Sequence, residues 1–191
     1  MMNDLTLQDK IAMGFMTQFN LKGPKLTIED VAVSLHIAKK TIYTVFDSKK
    51  SIYEYILAKT SDEINTHKLA IINDKKMTTK EKLMKFLTIK TTAESTFDVS
   101  KLPEVAKYEP EFYVELLASY SKEWESFKLL VEMGKKDGTL KPDTSADFLI
   151  DLLTHGYAMF YENDFLKKNH LTYTEAVRKL AELVLSGVYT K

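Results

Sequence analysis

The chain has 191 residues, 45% of them hydrophobic and 28% charged, and 27 basic side chains balance 27 acidic ones; it is long enough to bury a core and far from the composition of a disordered segment. It contains no cysteine, which excludes disulfides, thiolate catalysis and cysteine-based zinc or iron–sulfur sites. Zero net charge means that any affinity for a polyanion comes from a local patch, and with no apolar run of membrane-span length and no basic-then-apolar leader around Asp4 and Asp9, the chain reads as cytoplasmic and not membrane-bound.

Apolar residues recur at spacings of three and four and are punctuated by only six glycines and four prolines, so the pattern predicts an all-α protein. A first helix runs from about Thr6 to Phe19, with Ile11, Phe15 and Phe19 on one stripe, and Lys22-Gly23-Pro24 stops it. A short helix follows. Its start combines a Thr27 N-cap, an acid three residues on at Asp30, and an apolar pair, Leu26 and Val31, on either side of the cap. Its buried stripe is Ile28, Val31, Ala32 and Leu35. After a break at His36-Ile37-Ala38, a second short helix is predicted over Lys39 to Phe46, with Ile42, Val45 and Phe46 inward. A long helix begins at Asp47 or Ser48 and extends to about Ile72. Further helices are predicted at 78–96, 100–107, 110–136, 144–163 and 172–189, with breaks at Asp98-Val99-Ser100 and Tyr108-Glu109-Pro110 and a C-cap at Gly138.

Two short helices joined by a three-residue turn match a helix-turn-helix, in which the first helix braces the phosphate backbone and the second enters the major groove. Between His36 and Lys50 stand four lysines against Asp47, a local +3 on a neutral chain. Lys39, Lys40 and Lys49 are candidates to neutralise phosphates, and the hydroxyls of Tyr43 and Thr27 to hydrogen-bond them. Thr41 and Thr44, with Lys39 or Lys40, are candidate readers of base edges, and the amides around Ser48 and Lys49 a further anion site. The plain alternatives are that Tyr43 packs beside Phe46 and that the lysines form a solvated face. The only arginine is Arg178, so guanidinium readout of guanine is absent from this segment.

The run from Thr27 to Ile52, with Thr41-Ile42-Tyr43 followed by Phe46 and then Ser48-Lys49, resembles the pattern of the tetracycline-repressor (TetR) family. The resemblance covers roughly residues 8–56. It implies a helix-turn-helix DNA-binding domain over 1–50, joined by the long helix to a helical effector-binding and dimerisation domain over 51–191. Such a homodimer represses transcription at a palindromic double-stranded operator until a small, largely apolar effector releases it. Three positions depart from the family pattern: His36 stands where glycine is usual, at a turn position expected to need positive φ, Ala38 replaces a serine, and Val45 replaces a histidine or tyrosine.

The resemblance also places the homodimer interface on the last two helices, whose apolar residues (Phe148, Leu152 and Tyr157, then Leu180, Leu183 and Val188) fall on more than one face; Gly156 and Gly187 are candidates for close helix approach. Among the middle aromatics, including Phe86, Phe97 and Phe112, most are expected to be core. Tyr120, Trp124, Phe127, His155 and Met159 are the candidate lining of an effector cavity. The histidines at 36, 67, 155 and 170 show no metal-ligand spacing, and neither a glycine-rich phosphate loop nor a Ser/His/Asp arrangement is present. The sequence therefore predicts no catalytic residue, metal or cofactor. The alternative reading is a helical small-molecule-binding or interaction protein that has lost DNA binding, which duplex binding separates from the first.

Overall fold

Threonine three residues ahead of an acid starts four of the described helices: Thr6 with Asp9, Thr27 with Asp30, Thr78 with Glu81, and Thr172 with Glu175. In each pair the threonine hydroxyl accepts from the acid's backbone N–H while the carboxylate accepts from the threonine's, satisfying two donors that a helix end leaves open. The computed structural model describes residues 5–89, 101–160 and 164–190, without the side chains of 102, 103, 117 and 119–123. The helices are α1 (Leu7–Lys22), α2 (Ile28–Ser34), α3 (Lys39–Ile42), α4 (Lys49–Asn73), α5 (Thr79–Leu87), α6 (Leu102–Tyr108), α7 (Pro110–Lys136), α8 (Ala146–Phe160), α9 (Phe165–Lys168) and α10 (Tyr173–Val188), with a 3-10 turn at Gly23–Lys25. The fold is all-α; among the described residues the only strand-like pairing is the bridge between Leu140 and Tyr189, and no helix is long and apolar enough to cross a membrane.

The described residues divide into two compact units, one of residues up to Asp62 together with those up to Leu117 from α6 and early α7, the other comprising Glu63 onward through α5 and Ala118 to the end. The expected division at residue 50 does not coincide with this partition. The first half of α4 and the segment from α6 to Leu117 pack with the helix-turn-helix because Ile52, Tyr53, Val105 and Phe112 share its core.

In the first unit Phe15, Phe19, Leu26, Ile42 and Ile52 are fully buried. Tyr53 joins α1, α4 and α7: its ring lies edge-on to Phe15 at 4.8 Å and stacks on Phe112 at 4.5 Å. Gly14 lets α1 approach α2, since a Cβ there would stand 2.8 Å from the Leu35 side chain.

The core of the second unit gathers Leu83, Phe86, Phe127, Leu130, Leu153 and Leu185. At Gly156 an added Cβ would come within 2.5 Å of Leu180, so this glycine permits the α8–α10 packing; Gly187 has nothing within 4 Å and has no such role. The end of α10 is fastened to the turn after α7 and to α5: Lys141 N donates to Val188 O at 2.9 Å, Thr190 N to Thr139 O at 3.1 Å, and Lys80 Nζ of α5 sits 4.5 Å over the Tyr189 ring.

Three element predictions are revised. The helix expected to reach Phe46 ends at Ile42, the one expected over 78–96 ends at Leu87, and the short α9 is additional to the predicted helices. At Thr88 the hydroxyl donates back to Met84 O at 2.8 Å, a side-chain competition with the helical ladder; residues 90–100, Phe97 among them, lie outside the described residues.

Candidate nucleic-acid interface

The turn between α2 and α3 is built on His36. It lies at φ 54, the left-handed conformation expected at this position, and it closes a Schellman arrangement in which Ile37 N donates to Ala32 O at 3.0 Å and His36 N to Val33 O at 3.2 Å. The following helix is short. Ala38 offers no capping hydroxyl, four of the five residues from Thr41 to Val45 are β-branched, and the Thr44 hydroxyl donates to Thr41 O at 2.7 Å, so at Thr44 and Val45 three-residue turns, N–H to the carbonyl three back, interrupt the helical ladder.

This scaffold buries Ile42 and Phe46 and leaves Lys39, Lys40, Tyr43 and Thr44 exposed, with Thr41 half-buried. Tyr43 is 45% exposed; it does not pack into the core beside Phe46, whose ring meets Tyr55 at 5.4 Å. The structure thus brings together five of the eight predicted contact residues on and beside one short helix.

The remaining three are committed elsewhere. The Thr27 hydroxyl donates to Asp30 Oδ2 at 2.9 Å and accepts from Asp30 N at 3.2 Å, so as a phosphate donor it would have to give up its cap. Ser48 and Ser51 cap each other: Ser48 N donates to Ser51 Oγ and Ser51 N to Ser48 Oγ, both at 3.1 Å, which removes the Ser48 amide from the predicted anion site. Lys49 is the clearest correction. Its ammonium is turned inward, donating to Glu109 Oε1 at 2.7 Å and to Pro24 O and lying 5.7 Å from the Tyr53 ring centroid. A cation already paired with a carboxylate is not a free phosphate contact. Lys50 is likewise surrounded, by Glu115 at 3.1 Å, Glu54 at 3.7 Å and Glu111 at 3.9 Å. Of the four lysines in this stretch, Lys39 and Lys40 are the ones left facing outward without a carboxylate against them among the described residues.

Sequence reasoning missed Glu109 and Glu115. They lie sixty or more residues downstream, in a segment whose packing against α4 has no local signal. On the brace helix, Lys22 donates to Asp30 Oδ1 at 2.5 Å; that bond, with those from the Thr27 amide and hydroxyl, holds the Asp30 carboxyl down to about 2.

In the second unit the described members of the predicted effector lining face two ways. Phe127 is fully buried, 5.7 Å from Phe86 and 5.6 Å from Trp124, and Trp124 stacks on Tyr157 at 6.4 Å. His155 and Met159 project from the other side of α8 into solvent, His155 Nδ1 lying 2.7 Å from Asp151 O, because the inward face of that helix is set by Leu149, Leu153 and Phe160. The Tyr120 side chain lies outside the described residues. A separate cleft of about 440 Å³ is lined by His67, Ala70 and Ile71 of α4 and by Lys85, Thr88 and Ile89 at the end of α5.

No family model matches the chain. Over 167 residues, 87% of each chain, it is 20% identical to the uncharacterized HTH-type transcriptional regulator YvaF of Bacillus subtilis. Over 60 residues, 31% of this chain and 32% of the other, it is 42% identical to IcaR of Staphylococcus aureus, an HTH-type negative transcriptional regulator of the biofilm operon icaADBC. Among solved structures it superposes on the TetR family transcriptional regulator PfmR from Thermus thermophilus with a TM-score of 0.67, at 17% identity over 93% of this chain and 98% of that one.

Proposed function

We propose that the chain is a helix-turn-helix transcriptional regulator of the TetR family, acting in the cytoplasm as a homodimeric repressor of a palindromic operator and released by a small, largely apolar effector; its likeness to PfmR and to IcaR supports this reading. The observation that carries the DNA-binding part is the outward face of α3 and of the turn that follows it: Lys39, Lys40, Tyr43 and Thr44 exposed over a core of Ile42 and Phe46. Two ammonium groups and a phenol at this position suit phosphate oxygens. Thr44, whose hydroxyl donor is spent on Thr41 O, presents a methyl to the groove, the group that pairs with the thymine methyl.

The dimer reading is supported by an apolar stripe that the second unit leaves in solvent. Phe148, Leu152, His155 and Met159 follow one face of α8, Phe148 is 67% exposed, and on the neighbouring α10 Leu183 is 72% exposed. Large apolar side chains grouped this way mark association surfaces, and a two-fold pair matches the symmetry of a palindrome. For the effector, the cleft between the end of α4 and the end of α5 falls in the size range of small-molecule sites, with Ala70, Ile71 and Ile89 supplying apolar wall.

The test is fluorescence anisotropy of the purified chain against duplexes tiled across the DNA upstream of its own gene, in a salt series. A preferred duplex, bound with a falling log–log salt dependence and protected over two half-sites about one helical turn apart, is the expected result. Absence of binding to every duplex at low salt would return the reading to a helical binding protein without DNA affinity.

A further inference from the structure

We propose that the α6–α7 junction and the first turns of α7 form an internal competitor for DNA: Glu109 and Glu115 occupy, on Lys49 and Lys50, the positions that operator phosphates would otherwise take. The inference rests on the DNA-binding reading above and adds to it a residue set that controls affinity from outside the helix-turn-helix. Lys49 and Lys50 open α4, immediately after the segment that carries Lys39, Lys40 and Tyr43. Two lysines there would extend the cationic face along the backbone of a bound duplex, yet together they meet four carboxylates: Glu109 for Lys49, and Glu54, Glu111 and Glu115 for Lys50.

Three of those four come from the α6–α7 junction and the first turns of α7. None of the pairs is sealed from water. The side chains of Lys49 and Glu109 are 24% and 30% exposed, and those of Lys50 and Glu115 46% and 42%, so exchange of a carboxylate for a phosphate needs no unfolding, and the two ion pairs are of the partly solvated kind that contribute little to stability. The Tyr53 hydroxyl is buried and has no hydrogen-bond partner among the described residues, and burial and the charge of Glu109 hold its proton more tightly than usual.

The arrangement gives α7 a means of setting DNA affinity. Lys49 and Lys50 add to the phosphate grip only when Glu109 and Glu115 let go, and α7 continues past Leu117 into the second unit as one helix. A ligand that favours one placement of α7 over another thereby biases the competition.

The experiment uses the full chain and a fluorescent duplex of random sequence, since phosphate contacts carry no sequence information. Glu109→Gln is compared with wild type, with Glu29→Gln, which removes the same charge from α2 without touching either lysine, and with Glu109→Gln/Lys49→Gln. Glu109→Gln is expected to bind about threefold tighter or better and to steepen the log–log salt slope by about 0.9, the increment for one added phosphate contact; Glu29→Gln leaves the slope unchanged and the double variant loses the gain. An equal gain and slope in Glu29→Gln, or a gain that survives in the double variant, overturns the proposal, as does weaker binding by Glu109→Gln. Should Glu109→Gln lose its helical circular dichroism, Glu115→Gln with Lys50→Gln asks the same of the neighbouring pair. If wild type itself binds no duplex, the DNA-binding reading fails; if wild type binds and the glutamine variants bind no tighter, only the competitor fails.

Discussion

The Thr44 hydroxyl donates to the Thr41 carbonyl oxygen at 2.7 Å, a side-chain bond to the backbone at the point where α3 ends. With that donor committed to the chain, the readout proposed for Thr44 falls to its methyl. Thr44→Val keeps the methyl and Thr44→Ser keeps the hydroxyl. On the preferred duplex Thr44→Ser is expected to lose about 1 kcal/mol of discrimination against a substituted thymine, the scale of one methyl contact, and Thr44→Val to keep it. Anisotropy titrations against the duplex and its thymine-to-uracil version read the difference; the reverse order would reassign the readout to the hydroxyl.

Lys39 and Lys40 are the exposed cations of this face. Each glutamine substitution should weaken binding to preferred and random duplexes alike if the lysine meets phosphate, lowering the salt slope by about 0.9. A lysine that instead reads a base loses preference with little change in slope. Salt titrations of the two variants on both duplexes sort them.

His36 carries an L side chain at φ 54, where glycine has no steric penalty. His36→Gly is expected to stabilise the chain by about 0.5 kcal/mol, the relief of strain being partly offset by the freer unfolded chain. His36→Val, β-branched at the same φ, should destabilise by more than about 1 kcal/mol. Urea denaturation followed by circular dichroism gives both values, and a stabilising valine would remove the strain argument.

The α2 cap has a pH signature. Asp30 titrates at about 2 when folded against an ordinary 3.8, with the Lys22 hydrogen bond the leading cause. A carboxyl whose folded value is depressed contributes stability that is complete above the unfolded value and lost as pH falls through the folded one. Wild type should therefore lose stability between about pH 4 and pH 2 more steeply than Asp30→Asn. Thr27→Ala, which removes the hydroxyl from the same box, is expected to cost about 1 kcal/mol at neutral pH. Melting temperatures across that pH range check the sign.

Leu183 is 72% exposed on α10 and Phe148 67% exposed on α8, so neither supports the fold of its own unit. Leu183→Glu and Phe148→Glu should leave the far-ultraviolet spectrum and melting of the monomer nearly unchanged while shifting mass by light scattering from dimer to monomer. Retention of a dimer by both would move the interface elsewhere.

Much of the first unit is legible in the sequence because its determinants are local. Thr27 and Asp30 announce α2, His36 marks the turn, and the spacing of Ile42 and Phe46 separates the inner face of the second helix from Lys39, Lys40 and Tyr43. What periodicity misses is competition for backbone partners, as when Thr44 closes the helix at Ile42. It also misses pairing at a distance: nothing near Lys49 indicates that Glu109 lies against it. Local charge counting credits four free lysines to the surface, and tertiary packing pairs two of them with carboxylates. In the second unit an aromatic-rich pattern cannot distinguish core from cavity, so Phe127 and Trp124 pack inward while His155 and Met159, equally suited by composition, fall on the opposite side of α8.

The tie between the 139–141 segment and Val188–Thr190 has a kinetic consequence. The backbone of α10 is clamped at its Tyr189 end, whereas at the Thr172 end it is held by a capping box and by the Tyr173 ring, edge-on to Phe160 at 6.3 Å. Amide exchange along α10 should therefore advance from Glu175 towards Leu185, with the amides of Lys141 and Thr190 among the slow ones. The face bearing Leu183 would accordingly stay folded through the smaller openings of the second unit.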